Sequence, residues 1–353
     1  MMIECPVAPP HTITVALLQP GEAARWDQFV LECPNASFFH RAGWQTVIEQ
    51  AFGHKTWFLY AQADGQMLAI LPLAQINSLL FGNSLCSLPF CVYGGIAGNH
   101  ADATAALDRA ARELAGRLRV DYLEYRNLGP ARHPEWLGKS LYVTFRKPIH
   151  ADCGQNMLEI PRKQRAMVRK GMAAGLHSTV DGDTERFFHA YASSVHRLGT
   201  PVFSRRYFDI LLQVFGKDCE ILSVCLDRET ICSVLVFYFK DEVLPYYGGG
   251  SEAARALAGN DFMYWEVMRR ACERGCTLFD FGRSKLGTGS FDFKKNWGFT
   301  PQALHYEYKL YGADALPDNN PLNPKYQFLI KSWRKLPLSV ANALGPFIVR
   351  NLG

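Results

Sequence analysis

Several common signatures are missing from these 353 residues. There is no Gly-x-Ser-x-Gly elbow, no His-Glu-x-x-His pair, no Gly-x-x-x-x-Gly-Lys-[Ser/Thr] loop and no Gly-x-Gly-x-x-Gly following a strand. Serine hydrolysis, zinc proteolysis, P-loop ATP use and nicotinamide chemistry therefore lose support. The histidines show no metal-ligand spacing, so no metal is expected. The ten cysteines include no Cys-x-x-Cys pair. Several, such as Cys225 and Cys232, sit inside apolar runs, as buried free thiols do, and no disulfide framework is expected. The start, MMIECPVAPP, lacks the basic-then-apolar pattern of a signal peptide. The stretch Gly65–Ala101 carries no charge. But Gln75, Asn77, Asn83, Ser84, Ser87, Pro89 and the Gly94-Gly95 pair interrupt it, and a spanning helix needs about 20 predominantly apolar residues. It reads as buried strands and loops in a cytoplasmic protein. Charged residues make up only 20% and the net charge is +5. This is too mild an excess to imply nucleic acid, and no DNA partner is expected.

What is present is a globular composition, 48% hydrophobic and 13% aromatic, in a chain long enough for two domains. Only the first ten residues and the segment Pro317–Pro324 read as unstructured. The two halves repeat one order of features. The first runs Phe52-Gly53-His54-Lys55, strand TWFLYAQ, a turn at Asp64-Gly65 and strand MLAILPLAQI. It continues with Tyr93-Gly94-Gly95, a helix from Asp102 to Arg119, and strand VDYLEYR ending at Arg126. The second runs Phe215-Gly216-Lys217-Asp218, strand EILSVCL, a turn at Asp227–Thr230 and strand ICSVLVFYF. It continues with Tyr247-Gly248-Gly249, a helix from Asn260 to Arg274, and strand CTLFDFGR ending at Arg283. Asn260 is the expected N-cap and Gly275 the expected stop of that second helix. Two similar α/β units with mixed sheets follow. Their boundary is expected near 145–160, where Lys147-Pro148 and Asp152-Cys153-Gly154 read as a linker.

The densest polar cluster follows the last of these strands: Asp280-Phe281-Gly282-Arg283-Ser284-Lys285-Leu286-Gly287-Thr288-Gly289, then Phe293-Lys294-Lys295. Glycines permit tight turns and close approach to a ligand. Arg283, Lys285 and Lys294 there suit a phosphate or carboxylate; the bland alternative is a solvated loop. A second cluster, Pro161 to Lys170, opens a helix in which Arg162, Arg165 and Arg169 share one face. It is either a phosphate-binding stripe or a solvated basic face. In Leu198-Gly199-Thr200-Pro201-Val202-Phe203-Ser204, Thr200 and Ser204 are either pocket hydrogen-bond donors or plain turn and N-cap residues. The segment from Pro324 through Trp333 to Gly353 is basic and amphipathic. It either lies peripherally on a membrane or packs as helices on the second unit.

The order YYGGG, helix, FDFGRSKLGTGSFDFKKNWGF resembles the FemAB-related branch of the GNAT superfamily, and within it the PEP-CTERM/exosortase-associated subgroup. PRKQRAMVRKG, LGTPVFSRRYF and the tail NPKYQFLIKSW are similar to the same subgroup at the same places. The resemblance implies tandem GNAT-like domains over 11–150 and 151–312, followed by a helical tail over 313–353. The active site would lie in the second domain. It implies acyl or aminoacyl transfer to an amine acceptor in cell-envelope or exopolysaccharide assembly. The alternatives are a non-catalytic scaffold of an exopolysaccharide/exosortase system and a CoA-dependent N-acetyltransferase. No cofactor is implied beyond the donor, either aminoacyl-tRNA or acyl-CoA. GNAT enzymes using acyl-CoA carry Gln/Arg-x-x-Gly-x-Gly/Ala before a helix, where backbone amides hold pyrophosphate. Here the matching stretch, Ser251 to Gly259, lacks the spaced glycines, which disfavours acyl-CoA. The catalytic assignment falls on Lys294, Arg283 and Asp280, with Asp280 orienting Arg283. Lys285, Tyr247, Thr200, Ser204, Arg162 and Arg165 are assigned to substrate binding. Asp292, Glu266 and the substrate itself stay open as the base.

Overall fold

The computed structural model describes residues 12–79, 81–316 and 324–353. The expectations for the first ten residues and for 317–323 fall outside them. The first half comprises strand β1 (Thr14–Leu17), helices α1 (Ala23–Glu32) and α2 (Gly43–Phe52), strands β2 (Thr56–Ala63), β3 (Gln66–Ser78), β4 (Gly82–Ser87) and β5 (Ala97–Gly98), helix α3 (Ala101–Arg117) and strand β6 (Tyr122–Asn127). Strands β7 (Leu137–Lys139) and β8 (Tyr142–Pro148) lead to the second half. There follow α4 (Cys153–Glu159), α5 (Arg162–Ala173), β9 (His177–Asp181), α6 (Glu185–Leu198), α7 (Arg205–Phe215), β10 (Cys219–Leu226), β11 (Glu229–Phe239) and β12 (Glu242–Gly250). Next are α8 (Ala253–Ala256), α9 (Gly259–Glu273), β13 (Leu278–Asp280), β14 (Ser284–Lys285), α10 (Gly289–Asn296), β15 (Pro301–Ala303) and β16 (His305–Leu310). Helices α11 (Pro324–Trp333) and α12 (Leu338–Val349) complete the chain.

The duplication is real. Hairpin β2–β3 corresponds to β10–β11, α3 to α9 and β6 to β13. Asp64 and Gly65 both take positive φ, 49° and 77°, as a two-residue hairpin turn requires. In each half a helix crosses over between two parallel neighbours, β4 with β6 and β12 with β13. The first sheet runs β1-β2-β3-β4-β6-β16-β7 with β5 on β3; the second runs β14-β8-β13-β12-β11-β10-β9 with β15 on β8.

Two strands therefore cross between the halves. β8, preceding the second half, pairs with β13 in the second sheet, while β16, following it, pairs with β6 in the first. This corrects the linker reading at its start. Lys147 lies opposite Phe279 and Pro148 opposite Leu278. Val143, Thr144 and Phe145 are all buried, and burial on both faces of the strand outweighs the turn-like Lys-Pro pair. Asp152 caps α4 instead, accepting from the Gly154 amide. The exchange ties the halves into a shared core, in which Phe38 stacks on Phe237 at 4.3 Å.

Two other local readings change. The cap of α9 is Ala258, in the left-handed region at φ 57°, and not Asn260. Tyr247-Gly248-Gly249 lies in β12, whereas Tyr93-Gly94-Gly95 lies in a loop. Each glycine run permits a close approach: a Cβ at Gly249 would sit 2.6 Å from Tyr191 Cα on α6, and one at Gly94 would sit 2.1 Å from the Ser87 carbonyl. The described cysteines are free, and all but Cys153 are buried. No described helix is long and apolar enough to cross a membrane.

Candidate active site

β12 and β13 pair only at Glu242↔Leu278 and Val243↔Phe279. β12 then runs on to Gly250 paired with β11 but without β13, so β12 and β13 part. A bulge at Tyr246 sharpens the departure, since Leu235 faces Tyr247 while Val236 faces Pro245. The first-half loop 90–93 closes against this opening. Tyr246 donates its hydroxyl hydrogen to the Phe90 carbonyl (2.8 Å), Tyr306 to Val92 (2.6 Å), and Tyr93 to the Asp280 carboxylate (2.8 Å). The candidate site is thus a joint between the two copies.

Asp280 ends β13 and is fully buried. It accepts hydrogen bonds from Tyr93, from Thr144 (3.2 Å) and from the Gly282 amide (2.7 Å), and Arg146 Nε lies 3.3 Å away. Arg146 also pairs with Glu242. Burial pushes the Asp280 pKa up, opposed chiefly by Arg146. Both carboxylate oxygens are engaged by these three hydrogen bonds and the Arg146 charge lies beside them, so Asp280 shapes the loop. Its ion-pair partner is Arg146 from the exchanged strand, which corrects the expectation that it orients Arg283.

Gly282 turns the chain at φ 67° and delivers Arg283. The Arg283 guanidinium sits 4.7 Å from the Tyr142 ring centroid and 5.9 Å from that of Tyr306, and it donates to the Tyr306 hydroxyl at 3.3 Å. Among the described ion pairs none involves Arg283. Its counterpart in the first copy, Arg126, is buried against Glu124 at 2.9 Å and donates to the Cys91 carbonyl. One copy has neutralised its arginine within the fold. The other presents it, half-buried, on an aromatic cradle. Lys285 follows in β14, 5.6 Å from the Tyr142 ring.

Lys294 projects from α10 back beneath this loop, donating to the carbonyls of Gly282 (2.9 Å) and Arg283 (3.1 Å). α10 is capped by Thr288. Only 9% of Lys294 is exposed, and burial lowers its pKa from 10.5 to about 8, with Asp280 opposing and Arg283 assisting. A lysine with a depressed folded pKa makes stability rise with pH between its folded and unfolded values, because the unfolded chain then holds more protons. Wild type should therefore gain about 2–4 kcal/mol relative to Lys294→Met between pH 8 and pH 10.5. Parallel urea titrations across that range measure the difference. Identical slopes would place the Lys294 titration elsewhere.

The remaining sequence-selected residues divide. Tyr247 is half-buried among Tyr191, Phe203, Tyr207 and Phe208, its hydroxyl 3.0 Å from that of Tyr207. Burial pushes the pKa values of Tyr246 and Tyr247 well up, so both keep their protons and act as donors. Ser204 caps α7, accepting from the Tyr207 amide, and Thr200 is exposed after the left-handed Gly199. Arg162 is exposed at the start of α5, and Arg165 donates to the Leu158 carbonyl. Pro161, at the N-cap of α5, touches Gly298 just beyond α10. Of the residues considered as base, Glu266 is held by Ser178 and Arg269, and Asp292 is exposed on α10. Trp297 is buried with its Nε1 on Asp261, in the core behind the loop. The sequence reading missed Tyr142, Tyr306, Tyr93 and Arg146. Only Tyr93 had a signal, its place in the repeat.

An acetyltransferase (GNAT) domain family model matches residues 160–295. No curated protein matches the chain in sequence. Among solved structures, FemX superposes with a TM-score of 0.68 at 14% identity, covering 90% of this chain and 100% of FemX. A tandem GNAT protein from the clavulanic acid biosynthesis pathway gives 0.56 at 11% identity, covering 86% of this chain and 100% of that one. The C-terminal domain of a putative lysylphosphatidylglycerol synthetase from Agrobacterium fabrum gives 0.56 at 12%, covering 83% and 92%. At these identities the likeness is one of fold. The chain has a duplicated GNAT fold, with the matching domain in its second half.

Proposed function

We propose that this GNAT-type chain transfers an acyl or aminoacyl group to an amine acceptor at the joint between its copies, in cell-envelope or exopolysaccharide assembly. The observation that carries this reading is Arg283, a half-buried guanidinium with no ion pair among the described residues, held between two tyrosine rings beside Lys285. A scaffold gains nothing from such a group. An anionic donor or acceptor does, because the charge is fixed in place before the ligand arrives.

In the reaction the amine lone pair forms a C–N bond to an ester or thioester carbonyl. The carbonyl oxygen becomes an oxyanion, and collapse breaks the bond to the leaving oxygen or sulfur. The amine loses a proton and the leaving group takes one. Arg283 and Lys285 hold the anionic portion, and the Lys294 charge raises the local positive potential. Tyr246 keeps its hydrogen on the Phe90 carbonyl and walls the pocket, while Tyr247, protonated at neutral pH, serves as the donor. With both Asp280 oxygens engaged within the fold, a basic group of the substrate itself accepts the amine proton.

Aminoacyl-tRNA is the favoured donor. The segment before α9, where an acyl-CoA pyrophosphate would sit, is a helical turn whose amides are engaged: Ala254 to Ser251, Leu257 to Ala253 and Ala258 to Arg255. Arg162 and Arg165 supply a basic approach beside α10 for phosphates. The test is titration of the purified chain with an acyl-CoA and with a charged tRNA. Saturable binding of the tRNA, weakened by Arg283→Ala and Lys294→Ala, is the expected result. Binding of the acyl-CoA alone reassigns the donor, and binding of neither by folded protein removes the transferase reading in favour of a scaffold.

A further inference from the structure

We propose that the two C-terminal helices dock this protein onto an anionic lipid surface. α12, LSVANALGPFIV, contains no charged residue. Its buried stripe, Ala341, Gly345 and Val349, recurs every four residues and faces the body of the protein. Gly345 permits that contact, since a Cβ there would lie 2.8 Å from the Val202 backbone. The opposite stripe has no such cover. Val340, Leu344 and Phe347 are 39%, 47% and 69% exposed, and α11 adds Phe328 at 71% and Leu329 at 53%. An exposed apolar row at i, i+4 and i+7 marks a contact face.

Charge identifies the occupant. From 324 to 353 the sequence holds Lys325, Lys331, Arg334, Lys335 and Arg350 and no Asp or Glu, so these residues account for the whole net charge of +5. Apolar side chains rimmed by basic ones suit the interface of a bilayer containing anionic lipid. A second copy of the same face would bring like charge against like. At 1.5 Å per residue α12 is about 18 Å long, well short of a bilayer core of about 30 Å. It therefore lies in the plane of the interface. The attachment is firm. Arg350 donates to the Phe52 carbonyl, His54 Nε2 lies 2.6 Å from the Arg350 carbonyl, and Arg334 donates to the Leu198 carbonyl on α6. Gly353 rests against Pro89, next to the loop that walls the joint.

Flotation of the full chain with vesicles of phosphatidylcholine, with and without phosphatidylglycerol, tests this surface. Binding to the anionic vesicles should exceed binding to the neutral ones by at least about tenfold, and it should weaken as salt rises. Phe347→Glu should cut it by about tenfold or more with an unchanged melting curve, because the side chain is exposed. Lys331→Gln with Lys335→Gln should lower binding to anionic vesicles only. Failure to float with anionic lipid, or equal binding to neutral vesicles, overturns the proposal. So does a dimer in solution that Phe347→Glu dissociates, which would assign the face to a second copy.

Discussion

Arg283→Ala should reduce turnover with the true donor and acceptor by at least about 100-fold, equivalent to about 2.7 kcal/mol of lost transition-state stabilisation. Its melting temperature should stay within a few degrees of wild type. The side chain is half-exposed, it donates to the Tyr306 hydroxyl, and among the described residues no charge is orphaned when it leaves. Arg126→Ala, the matching change in the first copy, should do the reverse. Glu124 is only 6% exposed; burial raises its pKa, but Arg126 outweighs burial and holds it below the usual carboxylate range. Removing Arg126 strands that charge and should cost about 3–5 kcal/mol of stability. Urea denaturation together with a transfer assay separates the two outcomes. Equal losses of activity at constant stability for both variants would mean that the copies share the chemistry.

Asp280→Ala is the second large effect, and it falls on stability. The substitution leaves the buried Tyr93 and Thr144 hydroxyls and the Gly282 amide without their common acceptor, and takes one of two carboxylates from Arg146, which keeps Glu242. An unfolding loss of about 3–5 kcal/mol is expected. Asp280→Asn keeps one acceptor oxygen, and burial already favours the uncharged carboxyl, so about 1–2 kcal/mol is expected there. Chemical denaturation of both variants measures the ladder. If Asp280→Ala were as stable as wild type but inactive, Asp280 would be a catalytic group and not the clamp described above.

These two predictions rest on one asymmetry in a duplicated protein. Both copies place an acidic residue on the strand after the crossover helix and an arginine just beyond it. In the first copy Glu124 and Arg126 satisfy each other. In the second Gly282 adds a left-handed residue between Asp280 and Arg283, and the acid takes its partner from β8 instead. The arginine is thereby released to face the joint.

Much of this was legible in the chain itself. The repeat, its hairpins, the stop of α9 at Gly275, the helix beginning after Pro161 and the capping role open to Ser204 all come from local signals: alternation, helical spacing, turn chemistry and caps. Such signals act over a few residues, so a linear reading recovers them. The Gly-rich loop with Arg283, Lys285 and Lys294 was visible for the same reason. What tertiary structure decided are pairings across long separations. Tyr93 meets Asp280 across 187 positions and Thr144 across 136, and Tyr306 cradles Arg283 from a strand that belongs to the other sheet. No periodicity encodes those partners. The exchange of β8 and β16 was hidden for the same reason, because a strand's sequence states which side chains it buries but not which sheet it joins. Sequence thus determined the parts and their chemistry, while the fold determined which arginine is neutralised, which is presented, and that the candidate site falls between the copies.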